Sequence, residues 1–398
     1  RELSVDAVLE GSVRKAGDKV RVTVQLVSVE TGMPVWADKF DDKPSDVFTL
    51  EDKVSSRAAD SLTLNLTGEE RSRLASRHTA NTDAYEAYLK GRYFSFKNTP
   101  DEVRKSLLYF QQAIRIDPDY ALAYAGLADA YSFLGNVRVG ASPPPEVMPL
   151  AKAAALKAVE LDGLLAGAHA SLASIRMRYD WDWSSADEEF KRAIELDPDD
   201  ATIRQWYAHY LSAMGRHDEA IKEVERAKEI DPFSVMIISG SAMIRYHARQ
   251  YDRAISECLK ALEMDPYNGY ARGYLGLSYE QEGRYEDAIK ELEKLADAYP
   301  DTSLQPLGHV YATAGRRDDA LKILDQMLKR SKQKYYPPYF MAIIYAGLDK
   351  KDQALNWLEK ALQEHSGALL YLNVEPRFDS LRSSPAFRAL LRQMKFES

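Results

Sequence analysis

One phrase returns along this chain at a fixed interval. It reads AIRIDPDY at 113–120, AIELDPDD at 193–200, AKEIDPFS at 227–234 and ALEMDPYN at 261–268. Asp197, Asp231 and Asp265 stand 34 residues apart, and Tyr299-Pro300 keeps the beat. A period in this range marks a solenoid, in which each unit is one small supersecondary element stacked on the next. Two further series share the rhythm. Ala186, Ala220, Ala254, Ala288, Ala320 and Ala354 form one, and Ala128, Ala173, Ala208, Ala242, Gly276, Gly308 and Ala342 the other. Each unit therefore holds two helices, each with one small residue where it meets a neighbour.

The stretch 270–300 shows the logic of a unit. YARGYLGLSYEQEG sets Leu275, Gly276 and Tyr279 on one helical face, and Gly283 ends the helix because glycine takes the left-handed conformation freely. RYEDAIKELEKLADAYP then places Ala288, Ile289, Leu292, Leu295 and Ala296 on the inner face of a second helix, which Pro300 stops. In the Asp-Pro phrases the proline disfavours helical geometry in the residue before it and suits the turn into the next unit. One helix pair cannot bury its own stripe, so neighbours must stack.

Composition narrows the function classes. With 45% hydrophobic and 29% charged residues among 398, the chain can bury a substantial core. A formal net charge of -8, from 53 basic and 61 acidic residues, argues against a non-specific binder of nucleic-acid backbone, which needs a basic face. Cys258, the one cysteine, permits no internal disulfide or thiolate cluster, and it falls on the apolar stripe of a repeat helix. No apolar run approaches the ~20 residues that cross a bilayer.

The repeats resemble the tetratricopeptide repeat, a helix-turn-helix unit with a small residue and an aromatic in its first helix, an alanine early in its second and a closing proline. YLGLSYEQEGRYEDAIKELEKL matches nearly every marked position. Eight units fit between Thr82 and Ser366. The resemblance implies a mostly α fold, a right-handed solenoid of about eight helix pairs, with a concave groove lined mainly by first helices that holds peptides or protein surfaces. Two departures stand out. GNVRVGASPPPEV lengthens one interval from Ala128 to Ala173, as a surface insertion or a binding lip. YDWDWSSADEEF, Tyr179 to Phe190, is an aromatic-rich junction in which Asp182 caps a helix and Trp183 takes the core place held elsewhere by Tyr251 and Tyr285.

Ahead of the repeats, Val20, Val22, Val24 and Leu26 alternate with polar residues, and turns are signalled at Ala16-Gly17-Asp18 and Thr31-Gly32. That pattern predicts a three-stranded antiparallel meander. A helix capped by Ser45, with Leu50, Val54, Ala58 and Leu62 at intervals of four, is expected to follow. Three strands and a helix make a meagre core, which suggests a truncated α/β domain. VDAVLEGSVRKAGDKVRVTVQLV and ADKF resemble part of the amino-terminal domain of TolB. The resemblance implies a bacterial multidomain signalling protein whose upstream part is an adenylate or guanylate cyclase, a winged-helix regulator or a serine/threonine kinase. The expected divisions are 1–66 for this domain, 67–81 for a linker, 82–366 for the repeats and 367–398 for a capping segment. In the last, Ser384-Pro385 starts a helix with Phe387, Leu390, Leu391 and Met394 on one face and Arg388 and Arg392 on the other.

Signatures of chemistry are missing. Neither GxxxxGK[ST] nor GxGxxG, HExxH or GxSxG occurs, and ISGSA at 238–242 lies mid-helix. The acidic pairs Asp199-Asp200, Glu188-Glu189 and Asp318-Asp319 read as solvated residues at helix starts. The expectation is a non-enzyme with no cofactor and no metal site. Its groove residues are Gln205, Trp206, His209, Met243, Tyr246, His247, Tyr274, Leu277, Gln305 and His309, an aromatic, weakly polar set. The Lys, Arg and Asn that grip a terminal carboxylate are absent from it, so an extended peptide or partner loop with apolar anchors fits better. Packing of those rings between repeats is the competing reading. The partner is then a protein or peptide, or an upstream domain of the same parent, with cytoplasmic placement favoured, a periplasmic one compatible with a membrane-tethered parent, and a homodimer through the sheet edge also compatible.

Overall fold

A computed structural model describes residues 6–16, 19–42, 54, 57, 79–136, 142–300, 304–333 and 335–396. Two compact units emerge, one of residues 1–89 and 112–120, the other of 90–111 and 121–398.

The first unit contains an antiparallel sheet in the order β1 (Ala7–Ala16), β2 (Lys19–Ser28) and β3 (Pro34–Asp42). Val24, Leu26 and Phe40 are buried, with Val20, Val22, Trp36 and Val54 packed around the Val24–Phe40 contact. The strand alternation thus points its apolar face as expected. On the other face Arg21 forms a two-pronged ion pair with Asp41 directly across the ladder. Gly32, at φ +66°, makes the second hairpin turn, and its N–H bonds the Ser28 carbonyl. Of the helix expected after Ser45, only Val54 and Arg57 lie among the described residues, and both are helical.

Among the described residues eight helix pairs follow: α1 (Thr82–Phe96) with α2 (Pro100–Ile116), α3 (Ala121–Leu134) with α4 (Pro144–Leu161), α5 (Ala166–Ile175) with α6 (Trp183–Leu196), and α7 (Ala201–Ala213) with α8 (His217–Ile230). Then come α9 (Val235–His247) with α10 (Tyr251–Met264), α11 (Gly269–Gln281) with α12 (Tyr285–Ala298), α13 (Leu304–Thr313) with α14 (Arg317–Arg330), and α15 (Pro338–Gly347) with α16 (Lys351–Gln363). The periodic alanines Ala186, Ala220, Ala254, Ala288, Ala320 and Ala354 are wholly buried. Gly276 and Gly308 sit where a Cβ would meet Leu292 and Ile344 at 2.5 Å, so helices approach there to backbone distance.

The turns obey their sequence. Asp197, Asp231 and Asp265 leave the helix for extended backbone at ψ 86°, 83° and 95°, as the following proline requires, while their N–H still bonds Ala193, Ala227 and Ala261. Each next helix is capped by a side chain: Asp200 accepts from Thr202 and Ile203, Ser234 from Ile237, Asn268 from Ala271. First helices end in left-handed residues at Gly215, Arg249, Gly283, Gly315 and Asp349. In the long interval, residues 137–141 fall outside the described set. Its prolines do more than break a helix, since Pro144 opens α4. Glu188 and Glu189 lie in the body of α6, not at its start, and Glu189 pairs with His169 at 2.5 Å and Arg176 at 3.1 Å.

After α16 the chain forms two 3-10 turns, Gly367–Tyr371 and Pro376–Leu381, then α17 (Pro385–Gln393). Phe387, Leu390, Leu391 and Met394 are buried on one face, while Arg388 and Arg392 are exposed.

Candidate functional site

The first helices of the last five pairs, α7, α9, α11, α13 and α15, line a cavity of about 610 Å3. Gln205, Trp206 and His209 enter it from α7, His247 from α9, Tyr274 and Leu277 from α11, and Gln305 from α13. Their spacing follows from the repeat: one helix presents one stripe inward, and the next helix in register repeats it. Trp206 is half-buried, its body against Ile203 and Ala170. Gln205 donates from Nε2 to the Met236 carbonyl at 2.9 Å, which ties one first helix to the next.

Three expected groove residues do not reach the cavity. Met243 and Tyr246 are fully buried, because α9 is apolar nearly all round and is packed on every side. His309 is held between α11 and α13, its Nδ1 at 2.7 Å from Glu280, which also accepts from Thr313 at 2.7 Å.

The cavity has a wall that the repeat did not announce. The segment after α16 crosses the inner side of the solenoid, and Gly367, Ala368, Tyr371, Glu375 and Arg377 complete the lining. Local chemistry shapes it. Pro376 opens a 3-10 turn whose N-cap is Glu375, the carboxylate accepting from the Arg377 N–H. The same carboxylate accepts from Arg377 Nε at 2.8 Å and Nη2 at 2.9 Å, and from the Tyr246 hydroxyl at 3.0 Å. Arg377 reaches on from Nη1 to Gln305 at 2.9 Å. Burial pushes the Glu375 carboxyl up, but the guanidinium of Arg377 and its hydrogen bonds outweigh burial and hold it down at about 2. Tyr371 stacks on His247 with ring centres 4.4 Å apart, and Arg249 grips Asp379 with bonds of 2.7 and 2.8 Å.

The far end of this segment docks on the aromatic junction. A π-helical turn, Arg176–Asp180, ends at Trp181 in left-handed geometry, and the indole stacks on His365 at 4.8 Å. Trp183 stacks on Phe396 at 4.5 Å and donates from Nε1 to the Met394 carbonyl at 2.7 Å. Asp182 caps α6 by accepting from Ser185. The extra aromatics of YDWDWS are therefore core residues whose partners lie in the last thirty-odd residues of the chain. That excess of rings at one junction, and the Glu-Pro-Arg triplet within an otherwise apolar closing segment, are the sequence signals for this docking.

Elsewhere, Cys258 is fully buried, and burial pushes its thiol well up. Among the described residues no group of three or more His, Cys, Asp or Glu is arranged for a metal, and no helix is long and apolar enough to cross a membrane.

Comparison with known proteins agrees with this geometry. A family model described as a tetratricopeptide repeat matches residues 182–235 and 246–307. A protein of Rhizobium meliloti (strain 1021), named "Putative adenylate cyclase 3", is 30% identical over 174 residues, which span 44% of this chain and 29% of that protein. The chain thus matches less than a third of that relative's length. Of solved structures, the human IFIT1 dimer with PPP-AAAA is similar at a TM-score of 0.52 and 16% identity, over 79% of this chain and 77% of that one. Yeast Tom70 gives 0.48 at 14% identity, over 80% and 69%. At such identity the first likeness is one of fold. Residues 182–235 and 246–307 of this chain thus carry the tetratricopeptide repeat pattern.

Proposed function

We propose that this chain is a non-catalytic protein-interaction module whose inner cavity receives an extended peptide or a protruding loop of a partner protein. One observation carries the reading: successive first helices set Trp206, Tyr270 and Tyr274 around a single cavity of about 610 Å3, with Gln205, His209 and Gln305 beside them. Rings supply contact area at small entropic cost, and the amides and imidazole orient a backbone. The segment from Gly367 to Arg377 forms one wall, so the site belongs to repeats and closing segment together.

The relative named as an adenylate cyclase supports a wider reading, in which this chain is the regulatory portion of a larger bacterial signalling protein and any catalysis belongs to another part of that parent. In it residues 1–66 form a TolB-like α/β domain, 67–81 a linker, 82–366 the interaction solenoid and 367–398 the segment that closes it. Cytoplasmic placement goes with this reading.

The test is capture from a bacterial lysate with the chain as bait, read by mass spectrometry beside two variants. Trp206→Ala removes a cavity ring, whereas Tyr267→Ala removes an exposed ring outside the cavity. A partner lost with the first variant and kept with the second supports the assignment. A partner held equally by all three refutes it.

A further inference from the structure

A second cavity, of about 350 Å3, adjoins the first and shares Asn136, Arg178, Trp206 and Gly367 with it. Its chemistry differs, because a carboxylate faces it. Asp129, on α3, is open to the cavity, and the Ser171 hydroxyl donates to its Oδ1 at 2.5 Å. Among the described residues that is the one hydrogen bond to this carboxylate, and no cation lies within ion-pair distance of it. Arg92 acts on it from farther off. Crowding by protein pushes the Asp129 carboxyl up to about 6, against the opposing pull of Ser171 and Arg92. The carboxylate thus stands open to the cavity with a single hydroxyl on it, and a cation entering the cavity pairs with it.

The rest of the lining narrows the cation. Among the described residues Asp129 is not part of any cluster of three or more metal-ligating side chains, which argues for an organic cation. The rings of Phe133, Tyr179 and Trp206 line the same space, and ring faces attract cations. Ser132 contributes a hydroxyl that is buried without a hydrogen-bond partner. A guanidinium, with five donors in one plane, uses a carboxylate, a hydroxyl oxygen and a ring together, and an ammonium ion uses the ring less well. Arg178, whose Nε donates to Ser174 at 3.3 Å, borders both cavities and opposes an entering cation, so the balance of charge turns on Asp129.

We infer that this second cavity is a subsite for an arginine side chain of the partner, with Asp129 as its counter-charge. The inference rests on the reading of the adjoining cavity as the peptide site. Random heptapeptides displayed on phage, panned against the full chain and against Asp129→Asn, test it. The expected result is enrichment of arginine on the wild type and not on the variant. The strongest wild-type peptide, titrated calorimetrically, then binds about tenfold more weakly when its arginine is replaced by the neutral isostere citrulline, and Asp129→Asn abolishes that difference. Arg178→Gln tightens the arginine peptide. Circular dichroism of the near-isosteric Asn variant, unchanged from wild type, shows that the fold is kept. Peptides enriched equally on both proteins without a basic residue leave the groove reading standing and overturn the subsite. Lysine enriched in place of arginine overturns the guanidinium assignment, and enrichment on neither protein overturns groove and subsite together.

Discussion

Glu375→Gln removes the charge at the centre of the closing segment. In the folded chain this carboxylate is buried and accepts from Arg377 Nε and Nη2 and from the Tyr246 hydroxyl. Its pKa is drawn from an ordinary 4.5 down to about 2. Converted at about 1.4 kcal/mol per pH unit, that displacement is worth about 3 kcal/mol at neutral pH. The cost of leaving one member of a buried ion pair alone, about 3–5 kcal/mol, is of the same size. The sign follows from linkage: the folded pKa is depressed, so the stabilisation is complete above about 4.5 and lost as the pH falls through about 2, with under half remaining near pH 3. Urea unfolding of wild type and variant between pH 7 and pH 3 measures it as a difference, in which the titration of groups remote from Glu375 cancels. A gap of about 3 kcal/mol at pH 7 that shrinks by half or more at pH 3 is expected. Hydrogen exchange locates the effect, with peptides from 367–396 and 243–249 losing protection before those of α12. A gap that does not change with pH, or one below about 1 kcal/mol at pH 7, refutes the account of Glu375 as a charge held by Arg377.

Three further outcomes follow from single contacts. Trp183→Phe leaves the Met394 carbonyl without its indole donor and costs about 1–3 kcal/mol in urea unfolding, with faster hydrogen exchange in α17. Gly276→Val drives a side chain into Leu292, whose Cγ lies 2.5 Å from the Cβ position, and lowers stability by about 1–3 kcal/mol on thermal unfolding. Gly283→Ala places a Cβ at φ +74° in open space, so backbone strain alone is measured, at about 1–2 kcal/mol.

Much of the fold is legible in the sequence because its determinants are local and recur. An alanine at a helix contact, a proline after a C-cap aspartate and a glycine at a left-handed turn each act within a few residues, and several repeats state them again. The sheet is legible for the same reason, since Val20, Val22, Val24 and Leu26 show their shared face by alternation alone. The groove is legible in part. Period and helix direction bring Trp206, His247, Tyr274 and Gln305 to one cavity. They give no warning that α9 is surrounded, so Tyr246 and Met243 look like groove residues when they are core.

What the linear pattern determined, then, is a stack of helix pairs with an inner face of rings and amides, for each pair needs only its neighbours to bury its stripe. The tertiary structure alone decided what meets that inner face. Tyr246 bonds Glu375 from 129 residues away, and Trp183 bonds Met394 from 211. No local periodicity encodes such pairings. The amphipathic pattern of the closing segment says that it must bury Phe387 and Leu391, and the surface that the assembled repeats present decides where.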